Sequence, residues 1–133
     1  MVEHLVNFAV DNANGRVDSL KRRRGALEQD EWAAQLVISL VACVTDTEAS
    51  AVCSARRGHE RVSCARQVCM YLLHTWFGLS YKRVGEIFAR DRTTVAHACR
   101  QIEMHRDGIG IDRSICRLES LLELIVDKNR PTQ

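Results

Sequence analysis

The amino-acid sequence predicts an all-α fold, a compact domain of about five to six helices. Apolar residues recur at intervals of three and four in several segments, which is the spacing of one helix face. No segment alternates apolar and polar residues over a useful length, so no sheet is expected. Residues 79–103 contain two helical patterns separated by a tight polar turn, which together predict a helix-turn-helix.

Length and composition are those of one globular domain. The chain has 133 residues, of which 46% are apolar and 27% are charged, so it can bury a core of its own. We expect an N-terminal extension at residues 1–30 that is partly helical or disordered, a folded domain at 31–128 and a tail at 129–133. The longest strongly apolar run, residues 36–44, is far shorter than a membrane span, so no membrane partner is expected.

Positive charge is concentrated in one region, although the net charge is only +2. Residues 56–106 contain ten Lys or Arg and four Asp or Glu, and ten minus four leaves a local charge of +6. Such a region favours a polyanionic partner, whereas the alternative is an ordinary solvated helical surface. The ten basic residues are Arg56, Arg57, Arg61, Arg66, Lys82, Arg83, Arg90, Arg92, Arg100 and Arg106.

The six cysteines do not form a metal-binding pattern. No CxxC pair occurs, and Cys64 and Cys69 are five positions apart on a predicted helix, where they face different directions. We expect free thiols in a reducing, cytoplasmic environment. His97 and Cys99 are two positions apart on one helix and point away from each other. No metal, no cofactor and no enzymatic activity are therefore expected.

Two helices are predicted before the basic region. Residues 31–44 carry an apolar stripe at helical spacing, and residues 48–55 form a short helix that begins near Thr47. The stripe consists of Trp32, Leu36, Val37, Leu40, Val41 and Val44. A basic loop, residues 56–61, follows the short helix.

Two long helices flank the helix-turn-helix. Ser63 is expected to cap a helix over residues 64–77, and Gly78 suits the position just beyond its end. Asp112 is expected to cap the last helix, residues 113–128. The residues expected to face the core are Val68, Leu72, Leu73 and Trp76 in the first of these helices, and Ile115, Leu118, Leu122 and Ile125 in the second.

The helix-turn-helix has small residues where its two helices approach each other. Ser80 is expected to cap the first helix, residues 81–88, and the turn occupies residues 89–91. Gly85 and Ala89 would allow the helices to cross steeply over this short turn.

The second helix is predicted to begin near Arg92, with the Asp91 side chain accepting hydrogen bonds from its first free N–H groups. Its apolar stripe, which would face the core, consists of Val95, Ala98, Cys99 and Ile102. Its polar stripe begins with short hydroxyl side chains, which a DNA major groove can accommodate. This stripe consists of Thr93, Thr94, His97, Arg100 and Gln101.

Three stretches of this chain resemble the C-terminal DNA-binding domain (domain IV) of the bacterial replication initiator DnaA. They are ARQVCMYL (residues 65–72), GLSYKRVGEIF (78–88) and RDRTTVAHACRQIE (90–103). The resemblance covers about residues 31–127 and implies an all-helical domain that binds double-stranded DNA. In that family the helix-turn-helix enters the major groove and a basic loop reaches the adjacent minor groove.

The resemblance also implies a set of DNA-contacting residues. Those expected to contact base edges are Asp91, Arg92, Thr93 and Thr94, with His97 on the same surface. Those expected to contact the DNA backbone or the minor groove are Arg56, Arg57, Arg61, Arg66, Gln67, Lys82, Arg90, Arg100 and Gln101. The first three of these lie in the basic loop, where Gly58 and Glu60 interrupt the basic pattern of the family.

Three departures from the family pattern affect the expected function. Arg92 stands where the family usually has His, and Arg favours bidentate contact with guanine. The turn is one residue shorter than the family's Phe-Gly-Gly-Arg-Asp. No GxxxxGK[ST] motif occurs, so we expect a DNA-binding domain that stands alone, without the ATPase module and without a nucleotide.

Two functions are compatible with these observations. The first is a bacterial, sequence-specific double-stranded DNA-binding protein, cytoplasmic and nucleoid-associated, that regulates transcription or modulates replication initiation. The alternative is a protein-interaction adaptor or decoy of the replication-initiation machinery that does not read DNA. The oligomeric state stays open between a single domain on one site and a homodimer over paired half-sites.

Overall fold

The computed structural model describes residues 26–54 and 60–128, and these residues contain helices but no strand. The prediction of an all-α fold is confirmed. The six helices of the described ranges are α1 (Ala26–Thr45), α2 (Ala49–Cys53), α3 (Glu60–Thr75), α4 (Tyr81–Phe88), α5 (Arg92–His105) and α6 (Ile109–Lys128). Residues 1–25, assigned to the predicted extension, lie outside the described residues, as do the tail at 129–133 and the loop residues Arg56 and Arg57.

Helix α3 is the centre of the fold. It packs against α1 and against α5, while the short α2 contacts both α1 and α3. Helix α4 packs mainly against α5, and α6 contacts α1. The largest fully buried side chains come from α3 to α6, so the helix-turn-helix is part of the main core: Phe88, Met70, Leu72, Leu73, Ile102, Ile115, Leu122 and Ile125. None of the helices in the described ranges is long and apolar enough to cross a membrane.

The predicted apolar stripes are buried or packed against the core except at Val44, with Trp32 and Trp76 only half-buried. The four core positions of α6, Ile115, Leu118, Leu122 and Ile125, are all buried. In α1 the stripe is buried except at its ends, where Trp32 is half-buried and Val44 is 48% exposed. Val44 lies in the last turn of α1.

The predicted starts of three helices are wrong. Helix α3 begins at Glu60, so Ser63 lies inside its first turn and does not cap it. Helix α6 begins at Ile109, which places Asp112 in its first turn. Helix α1 begins at Ala26, five residues before the predicted start. The end of α3 agrees better with the prediction, because Gly78 has a φ of +74°, a conformation that favours glycine.

Candidate nucleic-acid interface

Helices α4 and α5 meet at a tight turn. Ser80 caps α4 as predicted, because its hydroxyl oxygen accepts a hydrogen bond from the Arg83 N–H at 3.1 Å. Helix α4 ends at Phe88 and is followed by its C-cap Ala89, whose φ of 54° and ψ of 48° lie in the left-handed region. The chain then folds back, so that the Arg90 N–H donates to the Gly85 carbonyl at 2.9 Å.

Gly85 allows the turn to lie directly against α4. A Cβ atom at this position would lie 2.5 Å from the carbonyl oxygen of Arg90 and 3.5 Å from the backbone nitrogen of Arg92. The nearest atoms belong to the backbone, which cannot move aside as the end of a flexible side chain can. A small residue at Gly85 is therefore required, as the sequence predicts.

Helix α5 begins at Arg92 as predicted, but the Asp91 side chain does not cap it. Asp91 has the extended backbone of an N-cap residue, and its carbonyl oxygen accepts from the Val95 N–H at 3.2 Å. Its carboxylate makes no capping hydrogen bond, so that part of the prediction is wrong. Because the first turn of α5 is exposed, water can satisfy these N–H groups. The carboxylate itself lies exposed at the start of the helix.

Helix α5 separates a buried apolar face from an exposed polar face. The predicted apolar stripe is confirmed, since Val95, Ala98, Cys99 and Ile102 are between 0% and 5% exposed. The residues predicted to read bases, Asp91, Arg92, Thr93, Thr94 and His97, are all exposed. They lie together over the N-terminal half of one helix whose opposite face is fixed in the core. We call these five residues the reading face.

Several basic and amide side chains outside the reading face are also accessible. Lys82 and Arg100 are exposed, and Lys82 lines an open cleft between α4 and the start of α5 together with Arg92 and Thr94. Gln67 and Gln101 are half-buried, and Arg61 is exposed in the first turn of α3. These residues keep the accessibility that a contact with a DNA backbone requires.

Arg66 and Arg90 differ from that expectation, because both bind carbonyl groups of the protein. Arg66 is only 7% exposed. Its Nε donates to the Val52 carbonyl at 2.8 Å, and its Nη2 donates to the Ala51 carbonyl at 3.1 Å. Arg90 is half-buried and donates to the Ser54 carbonyl at 3.3 Å. Burial lowers the pKa of the Arg66 guanidinium, and the neighbouring charge of Arg90 lowers this pKa further.

Two more arginines of the basic region are paired with acids. Arg83 binds Asp30 of α1 at 2.9 Å and Glu86 of its own helix at 3.1 Å. The hydrogen bond that Arg83 donates to Asp30 is the main cause of a raised pKa for Arg83. This pair fastens α4 to α1, so the charge of Arg83 is largely neutralised within the protein.

Arg106 connects α3 with α6 directly and, through Tyr71, with α5. Its Nε binds the Asp112 carboxylate at 2.7 Å, its Nη1 donates to the Tyr71 hydroxyl at 2.9 Å, and its Nη2 binds Glu119 at 3.2 Å. The Tyr71 hydroxyl in turn donates to Glu103 of α5 at 2.8 Å. The bond to Asp112 raises the pKa of Arg106, and burial raises the pKa of Tyr71. Sequence reasoning counted Arg106 only as charge offered to a polyanion and missed this network.

Only part of the local positive charge is therefore available to a polyanionic partner. Among the described basic residues of the region, four are exposed and lie close to the reading face or on the first turn of α3. These four are Arg61, Lys82, Arg92 and Arg100. The remaining four are half-buried or buried and are bound to acids, to a hydroxyl or to backbone carbonyls.

Thiols and metal ligands do not form a second site in the described ranges. No group of three His, Cys, Asp or Glu residues there is arranged to hold a metal ion. All six cysteines are free thiols. Burial raises the pKa of the Cys69 thiol and raises that of Cys99 to about 11, so both remain neutral members of the core.

Comparison with known proteins agrees with the fold. The protein family described as the bacterial DnaA protein helix-turn-helix matches residues 34–102, which is more than half of the chain. The match includes α3, α4, the turn and most of α5. It therefore covers the reading face and the helices that hold it.

Several chromosomal replication initiator proteins are similar to this chain. The DnaA protein of Tropheryma whipplei is 36% identical over 89 residues, which cover 67% of this chain and 18% of the relative. DnaA 2 of Chlamydia caviae is 41% identical over 59 residues, covering 44% of this chain and 13% of the relative. DnaA of a Nostoc species is 27% identical over 107 residues, covering 79% and 23%. The chain thus spans less than a quarter of these curated relatives, and it belongs to the bacterial DnaA helix-turn-helix family.

Proposed function

We propose that this protein binds double-stranded DNA in a sequence-specific manner and that the N-terminal half of α5 reads bases in the major groove. One observation carries the proposal: four exposed polar residues lie on one helix and a fifth, Asp91, directly precedes it, while the opposite face of that helix is buried. A recognition helix of this kind contacts base edges with its N-terminal residues. The buried face fixes the direction of the helix, so the reading face can meet the groove without rearrangement.

The exposed cations around the reading face would provide the affinity that does not depend on sequence. Lys82 and Arg100 flank the N-terminal half of α5, and Arg61 lies at the start of α3. Contacts between such side chains and phosphates release counterions, which makes binding depend steeply on salt. Gln67 and Gln101 can donate amide hydrogen bonds to phosphate oxygens. Arg56 and Arg57 would extend this contact into the adjacent minor groove.

Arg92 is the residue that should set the sequence preference. It is the first residue of α5, it is exposed, and no acid is paired with it among the described salt bridges. A guanidinium in the major groove makes two hydrogen bonds to guanine O6 and N7, worth about 1–3 kcal/mol of discrimination. Because the family usually has His here, the preferred site should differ from the DnaA box at the base pair opposite Arg92.

We further propose that binding is non-enzymatic and serves to regulate transcription or to modulate replication initiation on the bacterial chromosome. The similarity to chromosomal replication initiator proteins supports the second role, because a domain that occupies related sites would compete with them. The protein would then act at the nucleoid in the cytoplasm. Neither a nucleotide nor a metal has a part in this mechanism.

Selection of bound duplexes from a random pool tests the proposal. The full chain is incubated with the pool at low salt, and retained duplexes are amplified and sequenced over several rounds. We expect one enriched motif whose binding exceeds that of a shuffled duplex by about a thousandfold or more. The adaptor alternative predicts no retention at low salt, and that result would reject DNA binding.

A further inference from the structure

One hydroxyl group of α3 is bound to two residues at the C-terminal end of α5. Tyr71 lies in α3 and is only 4% exposed. Its hydroxyl donates to the Glu103 carboxylate at 2.8 Å and accepts from the Arg106 guanidinium at 2.9 Å. Glu103 lies in the last turn of α5, and Arg106 is the C-cap residue of that helix. The two bonds therefore join the end of α5 to the helix at the centre of the fold.

Two carboxylates of α6 hold the Arg106 guanidinium in place. Its Nε binds Asp112 at 2.7 Å and its Nη2 binds Glu119 at 3.2 Å. The guanidinium carbon also lies 5.8 Å from the centroid of the Tyr71 ring, which is within the range of a cation–π contact. Arg106 is thus oriented from three sides toward the Tyr71 hydroxyl. We call these five residues the Tyr71 network: Tyr71, Glu103, Arg106, Asp112 and Glu119.

The Tyr71 hydroxyl can bind both partners because it keeps its proton. Burial raises the pKa of Tyr71 above its ordinary value, so the hydroxyl is protonated at neutral pH. It can then donate to Glu103 while its oxygen accepts from Arg106. Each bond has a preferred direction and weakens steeply when that direction is lost.

These directional bonds add a constraint that the apolar stripe of α5 does not provide. Burial of that stripe fixes the direction of α5, but apolar contact is non-directional and constrains rotation about the helix axis less strictly. With its side chains a helix has a radius of about 5–6 Å, so a rotation of about 15° would move a side-chain end by about 1.5 Å. A binding site must be held within about 0.5 Å and 10–20° of its productive geometry. A rotation of this size would therefore misplace the reading face.

We propose that Tyr71, Glu103 and Arg106 are positioning residues: their hydrogen bonds fix the rotation of α5, so that Arg92 and Thr93 meet base edges in the required orientation. The inference rests on the proposed DNA binding. None of the three positioning residues belongs to the reading face. To contact a phosphate instead, Arg106 would have to leave two carboxylates and a hydroxyl to which it is bound.

Tyr71→Phe tests the proposal, because it removes the hydroxyl and keeps the buried ring. Ile38→Val is the matched control: it removes one buried methylene group from α1, a helix that carries no member of the Tyr71 network. Fluorescence anisotropy measures the affinity of each full-length protein for the selected duplex and for a shuffled one. Urea denaturation measures how much stability each change removes.

Positioning predicts a loss of sequence preference rather than a general loss of binding. We expect Tyr71→Phe to lower the preference for the selected duplex about threefold to tenfold, the effect of about one net hydrogen bond, and to change binding of the shuffled duplex less than about twofold. Ile38→Val should keep the wild-type preference. Equal losses on both duplexes, or an unchanged preference in Tyr71→Phe, would overturn the inference.

Two substitutions of Glu103 separate its hydrogen bond from its charge. Glu103→Gln and Glu103→Ala both remove a negative charge, which should strengthen binding to both duplexes alike. Only Glu103→Gln keeps a side-chain oxygen that can accept from the Tyr71 hydroxyl. Positioning therefore predicts that Glu103→Gln keeps the wild-type preference, whereas Glu103→Ala loses it to the same extent as Tyr71→Phe. The same preference in both Glu103 variants would contradict the inference.

Backbone amide NMR signals test the orientation of α5 without DNA. The signals of residues 92–97 should shift in Tyr71→Phe and stay in place in Ile38→Val, although these residues lie at the opposite end of α5 from Glu103. Unchanged signals in Tyr71→Phe would overturn the inference. If the wild-type chain selects no duplex, the proposed function fails, and the spectra still decide whether the Tyr71 network orients α5. If a duplex is selected and Tyr71→Phe keeps its preference, only this inference fails.

Discussion

Replacing Gly85 with alanine should destabilise the protein, although the change removes a glycine from inside a helix. Helix propensity alone would stabilise the variant by about 0.5–1 kcal/mol. The new Cβ, however, would lie 2.5 Å from the carbonyl oxygen of Arg90. This oxygen belongs to the backbone, so the turn itself would have to shift. Such overpacking costs about 1–3 kcal/mol, so we expect the free energy of unfolding to fall by about 1–2 kcal/mol.

Ala89→Gly is the matched control, four residues further along the chain at the C-cap of α4. Ala89 has a φ of 54°, which costs a residue with a Cβ about 1–2 kcal/mol, and it is exposed, so little packing is lost. Glycine removes this strain but makes the unfolded chain more flexible. We therefore expect the free energy of unfolding to rise by about 0.5–1 kcal/mol. The effects of Gly85→Ala and Ala89→Gly on the free energy of unfolding should therefore have opposite signs.

Urea denaturation followed by circular dichroism measures both effects in one series. Binding to the selected duplex should weaken in Gly85→Ala, because the turn that orients α5 must shift, and should be unchanged in Ala89→Gly. A Gly85→Ala protein as stable as the wild type would refute the close approach of the turn to α4. A destabilised Ala89→Gly protein would refute the left-handed end of α4.

Arg92→Ala should lower the preference for the selected duplex over a shuffled one by about tenfold or more, whereas Lys82→Ala should weaken both equally; anisotropy titrations on the two duplexes measure this. In native protein treated with iodoacetamide, Cys116 should be alkylated while Cys69 and Cys99 stay protected until urea is added, as peptide mass spectrometry would detect. Because the pKa of Cys99 rises from 9.0 to about 11 on folding, the free energy of unfolding should fall as the pH rises through that range. In Cys99→Ala the free energy of unfolding, measured by urea denaturation at several pH values, should decrease less over this pH range.

The helices could be predicted from the sequence because their burial pattern is local. The apolar stripe of α5 repeats at helical spacing and needs no knowledge of distant residues. The bounds of α4, the cap at Ser80 and the start of α5 at Arg92 follow from short-range signals of the same kind. The tight turn was equally predictable, because Gly85 and Ala89 are small residues at the places where the two helices approach each other.

The starts of the long helices could not be predicted as well, because a capping side chain can have another partner. Asp112 was expected to cap the last helix, but its carboxylate binds Arg106 and the helix begins at Ile109. Ser63 has the residue type of a cap and lies inside α3. At Asp112, a contact with another side chain thus outweighs the capping signal.

The candidate interface shows the same contrast between features that follow from the local sequence and features that depend on distant residues. The exposure of the reading face follows from helix periodicity, but the positions of the arginine side chains do not. Arg66 and Arg90 bind carbonyls that are 14 and 36 residues away, and Arg106 binds a hydroxyl 35 residues away. A count of local charge treats all three as available to DNA, because it has no information about such distant partners. Only the folded chain separates exposed cations from cations that hold the domain together.

Methylation interference on the selected duplex tests the central claim most directly, namely that α5 reads bases in the major groove through Arg92. Dimethyl sulfate methylates guanine N7 in the major groove, and duplexes that still bind are separated and sequenced. We predict that methylation of one guanine blocks binding by the wild-type chain and has no effect on binding by Arg92→Ala. The claim would be contradicted if no guanine interfered, or if the same guanine interfered equally with the variant.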